Sequence, residues 1–302
     1  MKRLEKNNEI WYNIWYNICI IKVKNAYDAG EMKEMNKPHY IDWLIEEKGV
    51  VLEGTHEVKS YRIDYSDDSE VIDDWALHIR RNYINDQDLT ESAELNGMTI
   101  EQYLKKYVIP QKGEKLGATA RSGDIAEIVV SDLLEFVMGY TVPRYKQMNR
   151  SGKNNSEHGT DVIGYKFYKK DKSPNDKDEL VAAEVKAELT SEDYGALKKA
   201  IKDSRKDEYR LARTIDNCRK KLRYQNDFNS IDEVTRFLIK PENNYKIIYI
   251  AAGVSSRTTV DENITISTDG KEVKISNGQA IFFIHGRKLM ELTHKIYERC
   301  LR

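Results

Sequence analysis

The chain has 302 residues, of which 33% are charged, and its formal net charge is −1 at pH 7. That length allows one large domain, or a domain of about 150 to 200 residues with an added region, which is the division its pattern favours. The near-neutral balance excludes a basic chain that coats nucleic acid indiscriminately, so any such contact must use local patches or a partner.

The chain opens on "NNEIWYNIWYNICIIKVKN", an immediate Ile-Trp-Tyr-Asn repeat that is open to three readings: a packed strand, a partner-binding arm, or an extension ahead of Met32 or Met35. Its apolar run is too short to span a bilayer and has no cleavage site after it, so neither a membrane span nor a signal peptide is expected. Cys19, Cys218 and Cys300 lie far apart without C-x-x-C spacing. This argues against a disulfide scaffold or a thiolate zinc site and fits a reducing, cytoplasmic setting.

From Tyr40, short strand-like runs in "VVLEGTHEVKSYRIDY" precede "EVIDDWALHIRRNYI", where Ile72, Trp75, Ile79 and Tyr83 recur at helical spacing. A small α+β region ending near Pro110 is expected. Trp75, His78, Arg80 and Arg81 could form a docking surface, although Trp75 suits a core anchor better. A largely buried helix is predicted over "ATARSGDIAEIVVSDLLEFVMGY", closed by Gly139, with Glu127 in its first turns.

Three strand candidates follow, "YTVPRYKQ", "GTDVIGYKFYK" and "ELVAAEVKAEL", separated by the polar loop "NRSGKNNSE" and the turn-rich "DKSPNDKD". The pattern predicts a three-stranded meander. A helical stretch from Ser191 to Arg223 keeps Leu197, Ile201, Leu211, Ile215, Cys218 and Leu222 near one stripe, interrupted at Ser204 and Glu208. Lys198, Lys199 and Lys202 belong to a run of cations there that offers the best phosphate-contacting surface, with a solvated helix face as the equal alternative. "NYKIIYIAAGV" and "QAIFFIHG" read as buried strands and "RKLMELTHKIYERC" as an amphipathic helix, giving the order α-β-β-β-α-β and then more.

"AAEVKAEL" carries the chemistry. Alternation along a strand puts Val181, Ala183 and Val185 on one face and Glu184, Lys186 and Glu188 on the other. A hairpin can set Asp161 beside Glu184, and Glu127 can reach in from the preceding helix. Three carboxylates and a lysine together suit phosphodiester hydrolysis with a divalent metal, Mg²⁺ or Mn²⁺: hard oxygens hold the ion, and it activates water and neutralises phosphate charge. Lys186 would orient water or stabilise the phosphate. His158, three residues earlier than Asp161, could touch phosphate, though a structural role is commoner. Arg150 and Lys153 are modest candidates on the polar loop.

With "GTD" at Gly159–Asp161 and "EVK" at Glu184–Lys186, the chain resembles the PD-(D/E)xK nucleases, with Thr160 in place of the motif's proline. A closer resemblance spans roughly residues 70 to 300. "WALHIRRNY", "ARSGDIAEIVV", "EHGTDVIGYK", "AAEVKAEL" and "LMELTHKIYE" look like the HamA family, nuclease subunits of Hachiman anti-phage defence. That resemblance implies an α/β (α+β) protein with a restriction-endonuclease-like core and a mixed central sheet. It also implies a DNA nuclease restrained by a HamB-like helicase partner. Catalytic roles carry over to Asp161, Glu184 and Lys186, and to Glu127 with Asp124 and Glu135 as rivals on the same helix. The Val185 carbonyl could serve as a further metal ligand. The expected division is residues 1–110 for docking or regulation and 111–302 for the nuclease. The alternatives are a non-catalytic module that binds helicase or nucleic acid, and a ribonuclease.

Overall fold

Alternation in "HEVKSYRI" and the apolar run in "IAAGVS" lay down strands of one mixed sheet. In a computed structural model of the chain, residues 37–302 are described apart from 149, 239–243, 268–273 and 277 and the side chains of 207–209. The Ile-Trp-Tyr-Asn repeat and Cys19 lie outside the described residues.

The strands are β1 (Leu44–Glu47), β2 (Val51–Leu52), β3 (His56–Ile63), β4 (Val162–Lys166), β5 (Glu179–Glu188), β6 (Lys246–Ser255), β7 (Asn263–Ile264) and β8 (Ala280–Gly286). They lie in the order β4-β5-β6-β8-β3-β2-β7, with β1 also on β3. The centre is parallel, β5 with β6, β6 with β8 and β8 with β3. The β4–β5 hairpin and the β1–β3 and β2–β3 pairs are antiparallel. The fold is therefore mixed α/β around a mixed sheet, as expected.

The helices are α1 (Ser69–Tyr83), α2 (Asp86–Leu95), α3 (Ile100–Tyr103), α4 (Gly117–Asp132), α5 (Gly195–Ser204), α6 (Asp207–Tyr224), α7 (Phe228–Thr235) and α8 (Leu289–Arg299). Asp68 starts α1 by accepting the free N–H groups of Glu70 and Val71. On one face of the sheet, α1, α4 and α8 cover Val181, Ala183, Val185, Phe282 and Ile284. On the other, α5 sets Leu197, Ala200 and Ile201 against Ala251, Ile281 and Phe283, while α6 sets Leu211 and Ile215 against Leu180 and Ala182. Helices on both faces explain why the parallel centre reads as an unbroken apolar run. Gly253 of β6 permits the closest approach: a Cβ there would stand 2.6 Å from the Leu197 backbone.

Some elements differ from expectation. "YTVPRYKQ" does not form a strand, and the meander is a β4–β5 hairpin extended by one bridge, Thr141 to Tyr165. Pro143 has no N–H for a ladder, and Lys146 and Gln147 turn instead toward α4. The stretch after Ser191 is two helices broken at Arg205 and Lys206. Next to the break, the Ser204 hydroxyl bonds back to the Ile201 carbonyl and Lys206 bonds Asp203, local contacts that compete with helical propagation.

"WALHIRRNY" lies largely inside rather than forming an open docking face. Trp75 is 1% exposed and stacks on Tyr40 at 3.9 Å, His78 bonds the buried Asp132, and Arg80 and Arg81 both hold Asp86. The sheet and the main core cross Pro110 without a break, because β3 pairs with β8 and Ile72, Trp75 and Ile79 share one cluster with Ile125 and Val129. Residues 38–302 form one compact unit. Among the described residues, no helix is long and apolar enough to cross a membrane.

Candidate active site

Beyond the end of β4, β5 continues with its outer edge free of a neighbouring strand, and the charged residues gather there. Glu184 follows Ala182 on the face toward α5 and α6, and it is 3% exposed. Lys186, two residues on, shares that face, and its Nζ lies 2.5 Å from Glu184 Oε1 and 3.5 Å from Asp203 Oδ2 on α5. The other Glu184 oxygen, Oε2, is buried without a hydrogen-bond partner. Burial lifts the Glu184 carboxyl above its ordinary range, and the charge of Asp161 adds to the effect. Burial works against the charge on Lys186, but contact with Glu184 outweighs it and raises the ammonium above the usual lysine value.

Asp161 is placed by the residues before it. Gly159 has φ +126°, and a Cβ there would come within 3.0 Å of the Thr214 hydroxyl on α6. The Thr160 N–H donates to that hydroxyl at 3.1 Å, so α6 pins the turn from which Asp161 emerges. The β4–β5 register, Val162 opposite Ala183, carries Asp161 to the level of Glu184. Its Oδ2 accepts the Val185 N–H at 2.8 Å. Because N–H and C=O of an extended residue face the same edge, the Val185 carbonyl opens on the same side.

Glu127 arrives from α4, on the opposite face of β5, through an intermediary. Lys146 Nζ stands 2.5 Å from Asp161 Oδ1 and 3.2 Å from Glu127 Oε1, and Gln147 Nε2 donates to Glu127 Oε2 at 2.9 Å. Burial pushes the Glu127 carboxyl up to about 8, with Lys146 opposing and Asp161 and Asp124 adding. Of the acids on this helix and its continuation, Glu127 is the one tied to Asp161. Asp124 is held by Arg150 at 2.6 and 2.8 Å, and Glu135 by Arg144.

The charges therefore form two runs of alternating sign, Glu127–Lys146–Asp161 and Glu184–Lys186–Asp203, meeting at the two carboxylates Asp161 and Glu184, rather than the three-carboxylate cluster expected. No group of three acidic, imidazole or thiol side chains able to hold a metal converges among the described residues, since the Lys146 ammonium stands between Glu127 and Asp161. Mg²⁺ commonly takes only one or two carboxylates, keeping water and substrate phosphate for the rest. Asp161, Glu184 and the Val185 carbonyl meet that need, and the bare, buried Glu184 Oε2 is the atom that most requires a partner.

Lys199 reaches Glu188 on β5, whereas Lys198 lies near Glu53 and Lys202 is exposed. Arg150 and Lys153 are tied down, the latter by Glu114 and the Lys105 carbonyl. His158 is exposed at a cavity of about 240 Å³ shared with Lys146 and Thr160. Sequence reading missed Lys146, Gln147 and Asp203. The first two sat in an assumed strand, and Asp203 had no signal beyond lying one helical turn from Lys199.

Residues 38–300 match the model of the HamA family, and the chain belongs to that family. No curated protein matches the chain in sequence. Family membership supports a role in anti-phage defence.

Proposed function

We propose that this HamA-family chain is a metal-dependent deoxyribonuclease that hydrolyses phosphodiester bonds during anti-phage defence under the control of a HamB-like helicase. The observation that carries the reading is the meeting of Asp161, Glu184 and Lys186 at the free edge of β5, with Glu184 Oε2 buried and unpaired.

Asp161, Glu184 and the Val185 carbonyl would hold Mg²⁺ or Mn²⁺, which supplies Lewis acidity toward water and phosphate when bound. Lys186 stays protonated through its contact with Glu184, so it donates to a phosphate oxygen or an entering water rather than accepting a proton. Asp203 keeps that ammonium aligned from α5. Lys146 neutralises Asp161 and fixes its carboxylate against the Val185 N–H. Helicase control and a cytoplasmic setting rest on family membership, and the near-neutral net charge fits a substrate held partly by a partner. Residues 38–110, which complete the sheet, would serve docking or regulation through their exposed surface.

The test is cleavage of supercoiled and linear DNA, and of RNA, by wild type, Glu184→Gln and Lys186→Ala, with Mg²⁺ or EDTA, alone and with the helicase. Metal-dependent DNA cutting, lost at least 100-fold in both variants, is expected if each group acts at the transition state, by about 2.7 kcal/mol or more. Equal traces in all three proteins would leave a binding module, and cutting of RNA alone would make the enzyme a ribonuclease.

A further inference from the structure

Beside the Asp161 turn lies a second polar hollow. Its volume, about 240 Å³, leaves room for roughly eight waters at ~30 Å³ each. The Tyr145 hydroxyl, the His158 ring and the Asn217 amide line it, and none of these side chains makes a hydrogen bond to another described residue. A polar hollow whose donors are not engaged by other described side chains offers them to a polar ligand, with Tyr145 buried, Asn217 half-buried and His158 exposed at its mouth.

The charge on its wall selects the ligand. Lys146, Lys220 and Lys221 line it against a single acid, Glu157, which Lys221 already pairs at 3.3 Å. Lys220 is 61% exposed at the rim, 2.6 Å from Asp216. Although Lys146 is also held by Glu127 and Asp161, the wall itself carries three lysines against one acid, so an anion rich in acceptor oxygens suits the hollow better than a cation or an apolar group.

The position relates it to the nuclease site. Lys146 is common to both, since the ammonium that lines this hollow also holds Asp161 at 2.5 Å. Thr160, immediately before Asp161, forms another part of the wall, and Thr214 on α6 bonds its N–H. An occupant here would lie alongside the turn that carries Asp161.

We propose that this hollow is a phosphate subsite, in which Tyr145, His158, Asn217 and Lys220 take a phosphate group of the nucleic-acid strand flanking the bond to be cut. The inference rests on the nuclease reading above and deepens it. The phosphate is either an internal diester or a 5′-terminal monoester, two sources of one chemistry. The subsite fixes the strand's register relative to Asp161 without reading bases.

The experiment measures equilibrium binding of fluorescent oligonucleotides, with and without a 5′-phosphate, to the full chain in EDTA across a salt series. Wild type is compared with Asn217→Asp and Lys220→Glu, and thermal melts confirm that each variant is folded. Asn217→Asp should weaken binding at least 10-fold. Lys220→Glu should also lower the slope of log K against log salt by about 0.7 to 0.9, the loss of one cationic phosphate contact. A loss confined to 5′-phosphorylated strands would assign the terminal monoester, and an equal loss on both would assign the internal diester. Wild-type affinity and slope in a folded Lys220→Glu and Asn217→Asp would overturn the subsite. If wild type still cuts DNA with Mg²⁺ in that case, only the subsite falls. If wild type neither binds nor cuts, with the helicase present as well as alone, the nuclease reading falls and the subsite with it.

Discussion

Replacing Gly253 by alanine should loosen the protein and dislodge one end of a charged run together. The added Cβ would stand 2.6 Å from both the N and Cα of Leu197 and 2.8 Å from its Cβ. Carbon pairs settle at about 3.5–4.0 Å, so α5 must withdraw by roughly 1 Å. Two of those atoms are backbone and cannot swing aside as a side chain would. The helix face that withdraws carries Leu197, Ala200 and Ile201, all fully buried. Overpacking costs about 1–3 kcal/mol, and the upper half applies when a whole helix moves. With a urea dependence of about 3 kcal/mol per molar, the unfolding midpoint should fall by roughly 0.7 to 1 M. The same retreat carries Asp203, 3.5 Å from Lys186, beyond ion-pair reach, so cleavage should drop in the folded variant as well. A midpoint within about 0.1 M of wild type would refute the close approach of α5 to β6, since 0.3 kcal/mol is far below any overpacking cost.

Lys146→Met should destabilise the chain in EDTA by up to about 3–5 kcal/mol, the range for removing one partner of a buried pair, with proton uptake by Glu127 softening the loss. Mg²⁺ or Mn²⁺ should then restore stability more in the variant than in wild type, approaching ~2.7 kcal/mol at 100 times Kd, and equal metal-induced shifts in melting would show that Lys146 does not compete for Asp161. Asp132, fully buried, would be raised by burial, but His78 and Arg144 hold it below the ordinary carboxylate value. Its folded pKa thus lies below its unfolded one, so its contribution is complete above about pH 4 and is lost as pH falls further, by up to ~1.4 kcal/mol per pH unit. The gap in urea midpoint between wild type and Asp132→Asn should be wide at pH 7 and shrink toward pH 2.5, and a constant gap would remove Asp132 from the acid limb.

Local periodicity was legible where it served burial on one side. Ile72, Trp75 and Ile79 announce α1, and the run through Ile250, Ala251 and Ala252 announces β6, because in each case the pattern of burial is the pattern of the sequence. The Glu184–Lys186 contact was legible too, since residues two apart on a strand must share a face. What stayed hidden depends on partners distant in the chain. Lys146 reads as a strand residue until Glu127 and Asp161 are both in place around it. Asp203 lies 17 positions from Lys186 and meets it only because α5 folds back across Gly253. The shared sheet was also out of view, as nothing in "HEVKSYRI" specifies that it will run parallel to "AIFFIHG".

Among the described strands, β8 comes last in the chain, yet it lies between β6 and β3. A growing chain that has released residues through Ser255 holds β6 with one bare edge and β3 with no parallel neighbour. Until Ala280–Gly286 emerges, no strand joins the two halves of the sheet. Such long-range parallel pairing is slow to form, because loop closure must precede any gain from contact. Under the nuclease reading proposed above, this order of assembly would delay a competent site until nearly all of the described chain has left the ribosome.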